Sequence, residues 1–280
     1  MSGTLFLAAT PIGNSADASA RLIEILQTAD IVAAEDSRRA VRLLRDLGIT
    51  APGKIVSFYD AVEEAKSADL VASVQAGQNV VVISDAGMPT VSDPGYRIVQ
   101  HAIKSGVTVR VLPGPSAVLS ALAISGLATD RFTFEGFLNR KSGPRMRQLS
   151  DLQFESRTMV FFEAPHRLAE TIAEMAEIFG HDRQAVICRE LTKTHEEIVR
   201  GSLSELITWC TREILGEITL VVAGATPIDN RDPQQWIALT QERIDLGISV
   251  RDAVADVAQE LNVPKREIYD AVINHRKTAD

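Results

Sequence analysis

Three short segments of this 280-residue chain combine proline and glycine with polar side chains at the ends of apolar runs: Thr10-Pro-Ile-Gly-Asn14, Asp85-Ala-Gly-Met-Pro-Thr-Val-Ser-Asp-Pro-Gly95 and Pro113-Gly-Pro-Ser116. Proline and glycine end a strand, and glycine lets backbone come close to a ligand. One such segment reads as a tight turn. Three on the same edge of one sheet describe a ligand cleft. The chain contains no G-x-G, so the pyrophosphate fingerprint of dinucleotide binding is missing. It has no complete G-x-x-x-x-G-K-[S/T] loop either, since Gly48-Ile-Thr-Ala-Pro-Gly-Lys54 is followed by Ile55, which argues against phosphoryl transfer. Loops rich in Pro and Asp suit a cofactor without a phosphate. The five histidines, His101, His166, His181, His195 and His275, are scattered, and no metal site is expected. Cys188 and Cys210 lie in separate segments and read as packed thiols of a reducing, cytoplasmic compartment.

The elements that must position these loops alternate regularly. Thr4–Ala9, Asp30–Ala34, Lys54–Phe58, Asn79–Ser84 and Val107–Val111 read as buried strands. Between them, Leu22, Ile25, Leu26 and Ala29 recur at helical spacing, as do Val41, Leu44 and Leu47 before Gly48. Strands joined by helical crossovers make a parallel sheet covered on both faces, with ligands at its carboxyl edge. A second half runs from Pro113, with strands expected at 131–136, 157–162, 184–189, 196–200 and 217–222. The gap Glu190–His195 is too short for a crossover, so part of this sheet should be antiparallel. Thr226–Pro233 reads as a linker. Helices are expected at Trp236–Leu246, Ser249–Leu261 and Lys265–His275, with Ser249 as an N-cap and Asn262-Val-Pro264 as a turn. The fold class is α/β: domains at 1–112 and 113–225, then a helical, helix-turn-helix-like appendage at 226–280. Ser116–Ala128, the longest apolar stretch, carries three serines and a glycine, so no membrane span is expected. The net charge of −8 argues against a protein that coats nucleic acid indiscriminately, yet permits a local basic patch.

Six motifs carry a family resemblance: Ala9-Thr-Pro-Ile-Gly-Asn14, Ala34-Glu-Asp-Ser-Arg38, Ser84–Gly95, Leu112-Pro-Gly-Pro-Ser-Ala117, Phe161-Phe-Glu-Ala-Pro-His-Arg167 and Cys188-Arg-Glu-Leu-Thr-Lys193. Together, in this order, they resemble the ribosomal RNA small subunit methyltransferase I family, within the tetrapyrrole methylase superfamily. The resemblance spans about Gly3 to Gly224 and matches the C-terminal helices only loosely. Ser37 stands where threonine is expected, Met88 sits inside the Asp-Ala-Gly-x-Pro loop, and Ile214-Leu-Gly-Glu217 replaces a more basic approach. The resemblance implies a kidney-shaped pair of α/β domains with S-adenosylmethionine folded between them. It implies cofactor contacts at Pro11, Asp85, Ala86, Gly87, Ser92, Asp93, Pro115, Ser116, Phe162, Leu191 and Glu217, largely through backbone amides. It also implies a homodimer that methylates the ribose 2′-hydroxyl of a cytidine in the decoding region of 16S rRNA, as RNA or as the assembled 30S subunit.

A sulfonium methyl group is a strong electrophile, so alignment and exclusion of water supply most of the catalysis. The hydroxyl proton needs an acceptor. Candidates at the cleft edge are Glu35, Asp36, Asp85, Glu163, Glu190 and Lys193. Asp36 with Arg38 stands first, against the alternative that Arg38 merely fixes the Asp36 turn; Glu190 with Lys193 is the next pair. For RNA, Arg38, Arg42 and Arg45 share one helix face, with Arg39 beside them. Asn139–Arg147 holds Arg140, Lys141, Arg145 and Arg147 and no acid, and His166 and Arg167 add to these. The bland account of these cations is a solvated face. Competing readings are a precorrin-type tetrapyrrole methyltransferase and a non-catalytic rRNA-binding assembly factor.

Overall fold

A computed structural model describes residues 3–50, 53–226, 232–261 and 263–279. They separate into two compact units, Met1–Ala225 and Thr226–Asp280. In the larger unit the first five strands are β1 (Thr4–Ala8), β2 (Ile31–Ala34), β3 (Lys54–Ser57), β4 (Val80–Ile83) and β5 (Thr108–Leu112). They form one sheet in the order β3-β2-β4-β1-β5, with every pairing parallel. β2 and β4 are buried along their whole length, as strands covered on both faces must be. The covering helices are α1 (Ala20–Thr28), α2 (Ser37–Asp46), α3 (Asp60–Gln75) and α4 (Tyr96–Lys104). Phe58, Leu70, Val74 and Ile98 fill one side, and Leu22, Leu26, Ala40 and Leu44 the other. Because β4, β1 and β5 are parallel neighbours, the three Pro/Gly loops leave the same sheet edge side by side.

One local expectation is corrected, and one helix has no visible spacing. Val41 is 55% exposed, and Ala40 takes the inward place beside Leu44. α3 lies outside the helical spacings named above because its buried face carries Glu63 and Ser67 among the aliphatic residues, which erases the apolar stripe. Glu63 has a positioning role. Its Oε1 accepts the amides of Gly95 and Arg97, both at 2.9 Å, and so fixes the end of the Asp85–Gly95 loop where α4 begins.

The second sheet contains β6 (Phe132–Phe137), β7 (Thr158–Glu163), β8 (Gln184–Arg189), β9 (Glu197–Ser202) and β10 (Ile218–Val222), in the order β6-β7-β10-β8-β9. β6 and β7 are parallel and the other pairings antiparallel, the mixed sheet that the short Glu190–His195 gap requires. α6 (Ser142–Asp151), α7 (Leu168–Phe179) and α8 (Leu203–Trp209) cover one face over Leu149, Phe161, Ile172, Met175 and Leu206. On the opposite face, α5 (Ala117–Ser125) packs Val118 and Leu122 against Val160, Val186 and Val221. Ile12, Ala86 and Val91, from the loops of the first sheet, join that same cluster.

The smaller unit holds α9 (Pro233–Asp245), α10 (Val250–Leu261) and α11 (Lys265–Ala279) around Trp236, Val254, Val257, Leu261, Ile268 and Val272. Ser249 Oγ accepts the Asp252 amide at 3.2 Å, the N-cap expected at this position. Most of the expected linker, 227–231, and Asn262 of the expected turn lie outside the described residues. No helix among the described residues is long and apolar enough to cross a membrane.

Candidate active site

Where the loops of the first sheet meet the face of the second that carries α5, the larger unit contains a cleft of about 360 Å³. Ile12, Ala86–Met88, Val91–Asp93 and Ser116–Val118 form one wall; Phe137, Phe162–Pro165, Cys188, Leu191 and Gly216–Thr219 form the other. Backbone ties hold the first wall. Thr10 and Gly87 exchange N–H···O bonds of 2.9 and 3.1 Å, linking the loops after β1 and β4. Gly87 has φ +77°, and a Cβ there would meet only Ile12 and the Pro115 carbonyl, at 3.5 and 3.8 Å. Gly13 joins the walls: a Cβ there would lie 2.4 Å from Lys193 Cγ, and the next amide, of Asn14, bonds Thr192 Oγ1 at 3.1 Å. Among the described residues the non-glycine positions with positive φ are Thr90, Ser92, Glu190 and Thr192, all on the two loops that face each other here. Backbone strain of this kind persists where surrounding contacts over-determine it, often at functional sites.

The sequence-selected cofactor residues Ala86, Gly87, Ser92, Asp93, Ser116, Phe162, Leu191 and Glu217 all line this cleft. Pro11 and Asp85 line a smaller depression instead, together with Asp36, Arg39 and Leu43. Pro115 contributes its carbonyl near Gly87. Phe137 is absent from the sequence selection. A register shift between Phe134 and Gly136 in β6 brings Phe134 and Phe137 to the same ring, Phe162, at centroid distances of 5.0 and 5.5 Å. A bulge re-aims a side chain in just this way, and the spacing of the phenylalanines alone does not reveal it.

The candidate bases fare differently from the cofactor loops. Asp36 N-caps α2: its carboxylate accepts the Arg38 amide at 2.8 Å and the Arg38 guanidinium at 3.1 and 2.8 Å. Those bonds from Arg38 hold the carboxyl down to about 2 and favour the loop-fixing reading of Asp36 over that of a base. Glu35 Oε2 accepts the Asp85 amide at 3.3 Å, and burial pushes its carboxyl up. Lys193 Nζ lies 2.7 Å from Glu190 and 2.8 Å from Glu217. Burial opposes the charge on Glu190, but Lys193 and the Glu217 amide outweigh it and hold the carboxyl below its ordinary value. Both groups are occupied in joining the rim.

Two RNA candidates are also corrected. Arg145 is fully buried, pairing with Glu174 and, at 2.8 Å, with Glu170; it anchors α6 to α7 and cannot reach a phosphate. Arg167 is bound to Glu163 and, at 3.3 Å, to the Leu138 carbonyl. Arg38, Arg39 and Arg42 on α2 are exposed, with Arg39 3.3 Å from Asp85, and so are Arg140, Lys141, Arg147 and His166.

The profile of the Tetrapyrrole (Corrin/Porphyrin) Methylases family matches residues 4–207. A protein of Mycobacterium tuberculosis (strain CDC 1551 / Oshkosh) named ribosomal RNA small subunit methyltransferase I is 50% identical over 277 residues, covering 99% of this chain and 96% of that protein. One of the same name from Bacillus subtilis (strain 168) is 41% identical, covering 96% and 94%. The chain belongs to the ribosomal RNA small subunit methyltransferase I family, within the tetrapyrrole methylases. Among solved structures, uroporphyrin-III C-methyl transferase from Thermus thermophilus, complexed with S-adenyl homocysteine, matches with a TM-score of 0.55 at 20% identity, covering 78% of this chain and 96% of that one. That likeness speaks to the fold alone. Five of the six motifs of this rRNA methyltransferase family contribute residues to the cleft, and Ala34–Arg38 borders the smaller depression instead.

Proposed function

We propose that the cleft binds S-adenosylmethionine and that the protein, as a homodimer, methylates the 2′-hydroxyl of a cytidine in the decoding region of small-subunit rRNA. The observation that carries this is the charge of the cleft wall. It holds the Asp93 carboxylate with the rings of Phe137 and Phe162 and, among the described residues, no lysine or arginine; Glu163 and Glu217 also line it, paired with Arg167 and Lys193. Such a wall suits a sulfonium cation, which carboxylates and aromatic faces attract, and repels a polyphosphate. Gly87 leaves open the space that a Cβ and longer side chain would take. Ser116, Ala117 and Val118 at the start of α5 line the cleft, and a helix N-terminus at that place suits a carboxylate.

Bound there, the cofactor supplies an activated methyl group. The protein's own part is alignment and dryness: Ile12, Val91, Val118 and Ile218 give the cleft apolar walls. Cations outside the cleft suit a polyanion. Arg42 on α2, with Arg140, Lys141 and Arg147 around the start of α6, is exposed to contact phosphates, and Arg38, exposed beside Arg42, is paired with Asp36. β5 and the helices before and after it in the chain leave Ile103, Val111 and Leu119 exposed, an apolar surface suited to a second copy.

Mass spectrometry of small-subunit rRNA from cells lacking the protein tests the reading. One ribose-methylated cytidine should be lost and should return when purified protein and S-adenosylmethionine are added. An unchanged methylation pattern overturns it.

A further inference from the structure

The three carboxylates of the cleft wall are not equivalent. Glu163 is buried, with its oxygens engaged by Arg167, the Thr171 hydroxyl and the Ala164 amide. Glu217, at the rim, shares Lys193 with Glu190. Asp93 is half-buried and pairs with no lysine or arginine among the described residues; the nearby Ser84 hydroxyl reaches the Ala86 and Gly87 carbonyls at 3.3 Å.

The loop that carries Asp93 is fixed on three sides. The Thr10–Gly87 bridge holds its start, the Thr90 amide bonds the Pro94 carbonyl at 3.2 Å, and Glu63 grips its end through Gly95 and Arg97. The charged groups around Asp93 are Glu35 after β2, Asp60 at the start of α3 and Asp85 in its own loop. Arg39 is drawn to Asp85 instead, at 3.3 Å. The other wall of the cleft adds Glu163 and Glu217, each already matched to a cation. Burial and then the Glu35 charge push the Asp93 carboxyl up to about 7, with smaller contributions from Asp85 and Asp60 against the nearby Ser84 hydroxyl. A base works best when its affinity for protons is matched to the operating pH. No other candidate at this edge combines access to the cleft with a carboxylate free of cations.

We infer that Asp93 is the proton acceptor of the methyl transfer, an assignment that rests on the ribose-methylation reading above. The ribose oxygen forms the new O–C bond as the methyl carbon leaves the sulfonium sulfur, and the C–S electron pair stays on sulfur as a neutral thioether. The hydroxyl proton passes to a carboxylate oxygen of Asp93 and then to water. Charge and atoms balance without a further reactant.

The test uses single-turnover methylation of saturating, unmethylated 30S subunits, with calorimetry of S-adenosylhomocysteine binding to the same proteins. Asp93→Asn should lower the rate by about 10²-fold or more, a usual general-base contribution, while affinity for S-adenosylhomocysteine, whose thioether carries no charge for Asp93 to attract, stays close to wild type. The wild-type rate should rise with pH and level off above about 7, and this limb should vanish in Asp93→Asn. Glu35→Gln removes a like charge and should move the limb to lower pH; this variant decides the matter if Asp93→Asn does not fold. Carbon-13 NMR of aspartate-labelled free protein should show one carboxyl titrating near neutrality, missing in Asp93→Asn. A wild-type rate in Asp93→Asn, or a defect fully restored by excess methyl donor, overturns the assignment. Absence of methyl transfer by the unsubstituted protein instead overturns the underlying reading, and it is visible before any variant is made.

Discussion

The turn after β2 and the loop after β4 leave neighbouring strands at the same sheet edge, and each carries an aspartate. Asp36, after β2, receives an amide and two guanidinium N–H groups from Arg38, and its carboxyl is held down to about 2. Asp93, after β4, faces a cleft, and burial and then the Glu35 charge push its carboxyl up to about 7. The residue type is the same and the environments differ. Donors aimed at a carboxylate stabilise its charge and use up the lone pairs that a proton would need; burial beside like charge does the reverse. Asp36 is therefore suited to anchoring the α2 helix, and Asp93 to exchanging a proton with a ligand. A perturbed acid in a cleft is a functional signal, whereas one perturbed by a neighbouring arginine is most often structural.

The comparison breaks most completely if the loop after β4 loses its shape. Gly87 sits at φ +77° on the cleft wall, so Gly87→Leu places a strained backbone and a branched side chain in the ligand's space. Calorimetry should show no binding of S-adenosylhomocysteine by a variant whose circular dichroism is unchanged; wild-type affinity would remove the cofactor from this position. A smaller effect separates structural from functional cations. Arg145→Ala leaves Glu174 buried without its partner, so denaturant unfolding should report a loss of about 3–5 kcal/mol. Replacing the exposed Arg140, Lys141 and Arg147 together should leave stability near wild type and flatten the salt dependence of RNA binding. Equal stability losses in the two proteins would erase the distinction.

The sequence makes the strands and their loops legible because buried parallel strands are continuous apolar runs, and Pro and Gly mark where they stop. β2 and β4 show this most directly. Side-chain direction within a cationic run is less visible. Arg145 looks like one of four surface cations, yet it stands one helical turn before Leu149, and both are fully buried. That spacing is the available signal, and only the start of α6 at Ser142 gives it meaning. Phe137 depends on a bulge, which alternation cannot anticipate. The proton affinity of Asp93 depends on burial and then on Glu35, a residue of another loop, so no local pattern contains it. The identity of the loops is a property of short segments; the chemistry of a carboxylate in them is a property of the sheet that sets the segments side by side.

The smallest effect tests the comparison itself, because the two aspartates should couple stability to pH with opposite signs. Asp93 has a folded-state value near 7 against 3.8 for an unperturbed aspartate, so between those values the folded chain keeps a proton that the unfolded chain releases. Its stabilising contribution is complete below about pH 4 and is lost as pH rises through 7. Asp36 is lowered from 3.8 to about 2, so its contribution is present above 3.8 and is lost only as pH falls through 2. Melting curves at pH 5 and pH 8 resolve the difference. Asp93→Asn should raise the melting temperature more at pH 8 than at pH 5, since it removes a charge that burial and Glu35 disfavour. Asp36→Asn should lower it by a similar, small amount at both, and added salt should shrink that loss because Arg38 is exposed. Parallel pH trends in the two variants would mean that the environments of Asp36 and Asp93 are alike in solution, and the separation of an anchoring from a proton-exchanging carboxylate would fall with that result.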